Sequence, residues 1–274
     1  MESPGYIHGY SDAEAERLFA QAEFLAPYVL EDVDLSGVRS LLEIGVGVGA
    51  ETRLLRSRWP ALHVTGVDVS EGQLERARRT LAEDLANGHV RLVRAFGDHL
   101  PLAADSFDAA FFIWVLEHVP DPQAVLKEAA RCLKPGGRVT AIEVYNRSLL
   151  VEPNGAIIHE YFAALSEAQR RGGGHPDIAA RLPQLASGAG LEVTSFRLFS
   201  TLGDGRDPAR RTALIRYFQG ICRSAEPQIR ASGLFAPERI DDVWRAFDDV
   251  VASPDALLCY IGGQLEARKP EGKR

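Results

Sequence analysis

The spacing of apolar positions changes several times along the chain, and each change marks an element. Leu18, Phe19, Ala22, Leu25, Ala26 and Val29 recur at helical intervals and give one buried stripe ending near Leu30. Ser11 and Glu14 form an S-x-x-E capping box, which sets the start of that helix at Asp12. After a turn at Ser36-Gly37 the pattern shortens to apolar runs of strand length at 40–44, 63–67, 90–95, 108–113 and 138–144. Helical stretches at 50–58, 71–85 and 122–133 separate them. Pro60, Asn87-Gly88 and Lys134-Pro135-Gly136-Gly137 supply the stops. This alternation predicts an α/β fold with a doubly wound, mostly parallel sheet covered by helices on both faces.

Beyond Tyr145 the alternation stops. Residues 152–171 and 177–188 read as helices, 191–199 as a strand, 208–223 and 238–251 as helices, and 257–267 as a final strand. With no repeat and no low-complexity linker, the expected organisation is an N-terminal lid and helix at 1–37 and one core domain at 38–274. A helical cap is expected to be inserted into that core at about 146–190 and 203–256.

The composition narrows the partners. A net charge of −7 over 274 residues offers no clustered basic surface for phosphate backbones or anionic lipid, so neither nucleic acid nor membrane is expected. The basic runs near 53–58 and 76–79 sit beside acids at helical spacing and read as solvated faces. Cys132, Cys222 and Cys259 lack metal-type spacing and suit a reducing compartment, so no metal and a cytoplasmic location are expected.

The chemistry concentrates where the first strand meets the second helix. Gly45, Gly47 and Gly49 follow that strand, and glycines after a strand let the backbone approach a ligand where a Cβ would clash. Gly45, Gly47 and Ala50 also satisfy the G-x-G-x-x-G/A dinucleotide fingerprint, and Asp68 stands where an acid holds ribose hydroxyls. These residues leave hydride and methyl chemistry open, with an NAD-dependent oxidoreductase as the alternative class. Glu43 favours methyl chemistry, because a carboxylate there would repel a pyrophosphate but suits an ammonium and a sulfonium. Gly97-Asp98 after the third strand adds an acceptor for an adenine amino group.

E-x-G-x-G-x-G at Glu43–Gly49, V-D-V-S at Val67–Ser70, Gly97-Asp98, Phe107-Asp108, L-E-H-V at Leu116–Val119 and L-K-P-G-G at Leu133–Gly137 occur in this order. As a set they resemble a class I S-adenosylmethionine-dependent methyltransferase, of the small-molecule, type 11 or UbiE-like kind, over about residues 38–145. The resemblance implies a seven-stranded Rossmann-like sheet whose last strand is antiparallel. It also implies S-adenosyl-L-methionine as cofactor and S-adenosyl-L-homocysteine as product. Gly45, Gly47 and Gly49 would pass the methionine part, Asp68 and the adjoining Val69 the ribose, and Gly97, Asp98 and His99 the adenine. Val46 departs from the small or polar residue that many relatives carry there.

The acceptor side is less determined. Trp114 could stack on cofactor or acceptor, and His118 could take a proton, since proximity supplies much of the acceleration and a base is optional. Glu143, Tyr145 and Asn146 stand where the fifth strand ends, the usual ligand edge of an open α/β sheet, and His159 and Tyr161 follow on the next helix. Tyr6, His8 and Tyr10 form an aromatic cluster that could close as a lid or pack on a second subunit in a homo-oligomer. Tyr10, His118 and Tyr145 are the candidate catalytic residues, and Tyr6, His8, Glu143, Asn146 and His159 the candidate acceptor contacts. The expectation is methyl transfer to a small-molecule metabolite in bacterial specialised metabolism, with a peptide or protein acceptor as the runner-up.

Overall fold

The computed structural model describes residues 7–9 and 11–272. The helix α1 (Asp12–Val29) begins where the capping box sets it, with Ser11 Oγ accepting from the Glu14 N–H at 3.1 Å. The Glu14 carboxylate accepts from Arg17, one turn on, which offers it two charged donors.

Then come β1 (Ser40–Ile44), α2 (Ala50–Arg58), β2 (His63–Asp68), α3 (Glu71–Thr80), α4 (Ala82–Ala86), β3 (Val90–Arg94), β4 (Phe107–Ile113), α5 (Pro122–Cys132) and β5 (Leu133–Glu152). The remaining elements are α6 (Ala156–Arg171), α7 (Leu182–Gly188), β6 (Glu192–Gly203), α8 (Pro208–Ser224), α9 (Glu226–Ser232), α10 (Ile240–Ala252) and β7 (Leu257–Arg268). The sheet order is β3-β2-β1-β4-β5-β7-β6. β7 runs antiparallel to both of its neighbours, and the other pairings are parallel. The chain therefore reverses strand order between β1 and β4, and the crevice beyond their carboxyl ends is where such sheets bind ligands.

Strand positions follow the sequence reading within a residue or two as far as β4. The helix expected over 71–85 divides at Leu81 into α3 and α4, and the one expected over 177–188 opens with a 3-10 turn at Ile178–Arg181. The larger correction is β5. Tyr145 pairs with Ile261 and Leu150 with Cys259, so residues 146–149 loop out and the strand resumes to Glu152. Ser148 closes this bulge, its hydroxyl donating to Tyr145 O at 2.6 Å and accepting from the Ile261 N–H at 2.8 Å. The helix expected from 152 consequently begins at Ala156. The helix α9 was not expected, because its seven residues are too few to show a period.

Phe111 and Phe112 at the centre of β4 are fully buried, one facing each helical layer. A third cluster lies under α6, α8 and α10, where Tyr161, Phe235, Trp244 and Phe247 pack together. Burying an aromatic or branched side chain of this size contributes about 1.5–3 kcal/mol, so this cluster holds the cap helices onto β5 and β7. No helix among the described residues is long and apolar enough to cross a membrane.

Candidate active site

A cavity of about 870 Å³ opens at the carboxyl ends of β1, β2 and β4 and runs beneath α1 to the cap helices. At one end the chain leaves β1 through Gly45, Gly47 and Gly49, all at positive φ. A Cβ on Gly45 would stand 2.2 Å from a Val115 methyl, whereas a Cβ on Gly47 would meet nothing closer than 3.9 Å. Gly45 thus lets the β4 exit pack against the loop, and Gly47 leaves space open on the cavity side. Gly49 lies outside the wall and serves α2, since a Cβ there would press on Leu81 at 2.8 Å.

Asp68 ends β2 and enters the cavity. Its Oδ2 accepts from the Gly47 N–H at 2.9 Å and its Oδ1 from the Ser70 N–H at 2.8 Å. Burial pushes this carboxyl above the ordinary carboxylate range against those hydrogen bonds. Each oxygen keeps a second lone pair for a ligand hydroxyl. Val69, Gly97 and Asp98 also line this end. His99 does not, because its backbone turns back to pair with Phe96 and leaves the imidazole exposed. Phe96, half exposed, takes the place at the cavity that the sequence reading gave to His99.

Glu43 sits one layer below the wall. The Thr52 hydroxyl donates to its Oε2 at 2.6 Å, and burial pushes its carboxyl up to about 8. With its carboxylate drawn to α2, it braces the strand against the helix, and the cavity lining does not include it.

At the end of β4, Trp114 adopts positive φ and turns the chain out of the sheet, with its indole on the cavity. The following 3-10 turn, Leu116–His118, carries Glu117 and His118 into the wall. His118 Nε2 is 3.6 Å from Glu117 Oε1, and Gln169 of α6 donates to Glu117 Oε2 at 2.7 Å. Glu143 is fully buried behind this turn. Its Oε1 accepts from the Val115 and Leu116 N–H groups at 3.0 and 2.7 Å, so it holds the turn, and the cavity lining does not include it. Burial, and then the neighbouring Glu117 charge, push its carboxyl well above the usual range.

The other acceptor-side candidates divide by strand parity. Val144 and Asn146 line the cavity, and Tyr145, on the opposite face of β5, does not. Asn146 is committed within the bulge: its Oδ1 accepts from the Tyr260 hydroxyl at 2.6 Å, and its Nδ2 donates to Ser166 at 3.2 Å. His159 is drawn away, its Nε2 accepting from the Val151 N–H at 3.1 Å, and Tyr161 is sealed in the cap core, donating to Cys222 O. His8 does line the cavity, tied to the Ser224 hydroxyl at 2.7 Å, with its ring edge-on to His118 at 6.5 Å. Burial, then the charges of Arg17 and His118, hold its imidazole well below the ordinary range. Tyr6 and Tyr10 lie outside the described residues.

Several lining residues carried no sequence motif. Arg17 and Gln21 come from α1, Glu51 from α2, Gln169 from α6, Tyr217 from α8 and Tyr260 from β7. Arg17 and Gln21 lie at i and i+4 on one face of α1, where no motif marks polar residues as cavity-lining.

A doubly wound sheet with a glycine loop, a buried acid at the end of its second strand and a cavity at its switch point defines an α/β protein with its ligand site at the strand ends. Residues 42–141 match the family model described as a methyltransferase domain. This match and the relatives that follow support a class I S-adenosylmethionine-dependent methyltransferase. It is 33% identical over 188 residues to methyltransferase GfsG of Streptomyces halstedii, covering 68% of this chain and 65% of that protein. It is 35% identical over 132 residues to the 27-O-demethylrifamycin SV methyltransferase of Amycolatopsis mediterranei, 48% of each. The matches thus span less than two thirds of these relatives' own length. Among solved structures, that of the [4+2]-cyclase SpnF superposes with a TM-score of 0.55 over 93% of this chain and 81% of that one, at 22% identity. That likeness concerns the fold.

Proposed function

We propose that this chain transfers a methyl group from S-adenosylmethionine to a small, largely apolar acceptor. The observation that carries the reading is the continuity of the cavity, from Asp68 and Asp98 past His118 to Phe162, Phe218 and Ile221 of the cap. A nucleoside end and an apolar end that meet in one enclosed space are what methyl transfer to a bound metabolite requires, and a proton-accepting group at their junction suits a hydroxyl acceptor.

The wall fits the cofactor. Asp68 would take the ribose hydroxyls on its unused lone pairs, Asp98 the adenine amino group, and Phe96 and Val69 the faces of the base. Gly45 and Gly47 would pass the thioether part, where Gly47 leaves room. Bound there, the cofactor supplies an electrophilic methyl on a sulfonium.

His118 would receive the acceptor's proton, with Glu117 beside it to oppose the charge that the imidazole gains. Trp114 and the cap aromatics would exclude water from the transfer. The 7–9 segment, with Ile7 buried in the cap core and His8 bound to Ser224, supports the lid reading of the N-terminus over a subunit contact. The enclosed, apolar far end supports a small metabolite over a peptide. The likeness to the 27-O-demethylrifamycin SV methyltransferase of Amycolatopsis mediterranei supports specialised metabolism as the setting.

Calorimetry with S-adenosylhomocysteine and with NAD tests the first half of this reading, and binding of the former alone is expected. Transfer of a labelled methyl group to a panel of hydroxylated apolar metabolites tests the second. Binding of NAD in preference would overturn the proposal.

A further inference from the structure

The acid of the glycine-rich motif is committed inside the protein, but the next acid along the chain is not. Glu51 stands in the first turn of α2, two residues past Gly49, and its side chain lines the cavity. Burial pushes its carboxyl up to about 7, against the pull of the Arg17 charge. An ion enclosed in this way gains from a cationic ligand group placed beside it.

Arg17 lines the same cavity from α1, and among the described residues it is the one Arg or Lys in the wall. Glu14 accepts from its Nε and Nη2 at 2.8 and 2.7 Å, and Gln21 accepts from its Nη1 at 2.6 Å. These bonds fix the plane of the guanidinium before any ligand arrives, which lowers the ordering cost of using it. The helix that carries it is laid directly over the glycine loop, Ala15 and Ala22 packing on Val48 and Ala50. The far side of the loop presents Asp68 and Asp98, two acids that would repel a ligand carboxylate.

We propose that Arg17 and Glu51 form a clamp for a zwitterionic α-amino acid, Arg17 taking the carboxylate and Glu51 the ammonium of the cofactor's methionine end. This rests on reading the cavity as a methyl-donor site. It moves the ammonium contact from Glu43 to Glu51, and it gives α1 a binding role that no motif signals.

The test compares two ligands that share adenosine and a thioether. S-adenosylhomocysteine carries the amino-acid end, and 5′-methylthioadenosine lacks it. Titration calorimetry on the wild type should show S-adenosylhomocysteine bound about 10- to 100-fold more tightly, the range expected for charge-assisted hydrogen bonds. Arg17→Met and Glu51→Gln should each remove most of that difference while leaving 5′-methylthioadenosine affinity within about twofold. Near pH 7 the wild-type heat with S-adenosylhomocysteine should also depend on the buffer's ionisation enthalpy, because Glu51 gives up a proton to meet the ammonium. Glu51→Gln should abolish that dependence.

Variants that bind S-adenosylhomocysteine as the wild type does would overturn the clamp. So would variants that lose both ligands in step. A wild type that binds the two ligands equally removes the clamp and leaves the donor site standing. A wild type that binds neither removes both.

Discussion

The half of the sheet from Ser40 to Ile113 and the half from Tyr145 to Arg268 handle their polar groups in opposite ways. In the first, polar groups that face the cavity are held by backbone N–H donors and keep capacity to spare, as Asp68 does between Gly47 and Ser70. In the second, they are locked to one another, as Asn146 is between Tyr260 and Ser166. The first arrangement suits a ligand that is always the same and can be met by fixed backbone geometry. The second leaves mainly apolar surface facing the cavity, and on the proposed reading acceptor choice would lie in cavity shape more than in hydrogen bonds.

The largest expected effect concerns Glu43, the buried brace of the first half. Its folded carboxyl titrates near 8 and its unfolded one near 4.5, so between these values the folded state holds more protons. The stability that Glu43 contributes should therefore be fully present below pH 4.5 and decline as pH rises toward 8, by as much as about 1.4 kcal/mol per pH unit. Chemical denaturation across that window should show the decline in the wild type and a flatter profile in Glu43→Gln.

Next, Asp68→Ala should weaken S-adenosylhomocysteine and 5′-methylthioadenosine together, by about 100-fold, since both carry the ribose. Unchanged affinity would remove Asp68 from the donor site and erase the contrast between the halves at its clearest point.

In the second half, Tyr260→Phe leaves Asn146 Oδ1 without its donor. A loss of about 1–3 kcal/mol in unfolding free energy is expected, with S-adenosylhomocysteine affinity unchanged. A drop in that affinity would show the halves to be coupled. The smallest effect should come from Leu198→Ser on the edge strand β6, where the side chain is 56% exposed. A change within about 0.5 kcal/mol is expected by thermal unfolding.

The same contrast explains what could be read from the chain. The strands β1, β2 and β4 are short apolar runs between glycine and proline stops, and the loop acids stand at fixed offsets from them, so local pattern and tertiary role coincide. The re-entry of β5 at Leu150 has no local signal, because it depends on pairing with Cys259 more than a hundred residues away. Tyr145 illustrates the cost of that gap. It reads as standing where the strand ends, whereas β5 runs on to Glu152, and the face it occupies is decided by the parity of β5 and is not the cavity. Arg17 carried no signal for a different reason. A charged residue on an amphipathic helix reads as surface until the fold lays that helix over a cavity.

The bulge at residues 146–149 gives the molecule a place to vary. It is pinned on both sides by antiparallel pairing to β7, and Ser148 stitches its centre. A change in its length or residues would be absorbed between those pins and would reshape the far wall of the cavity. The glycine loop, on the far side of β4, would keep its geometry. A lineage could therefore exchange one metabolite for another by editing four residues, without having to rebuild the part of the protein that recognises the methyl donor.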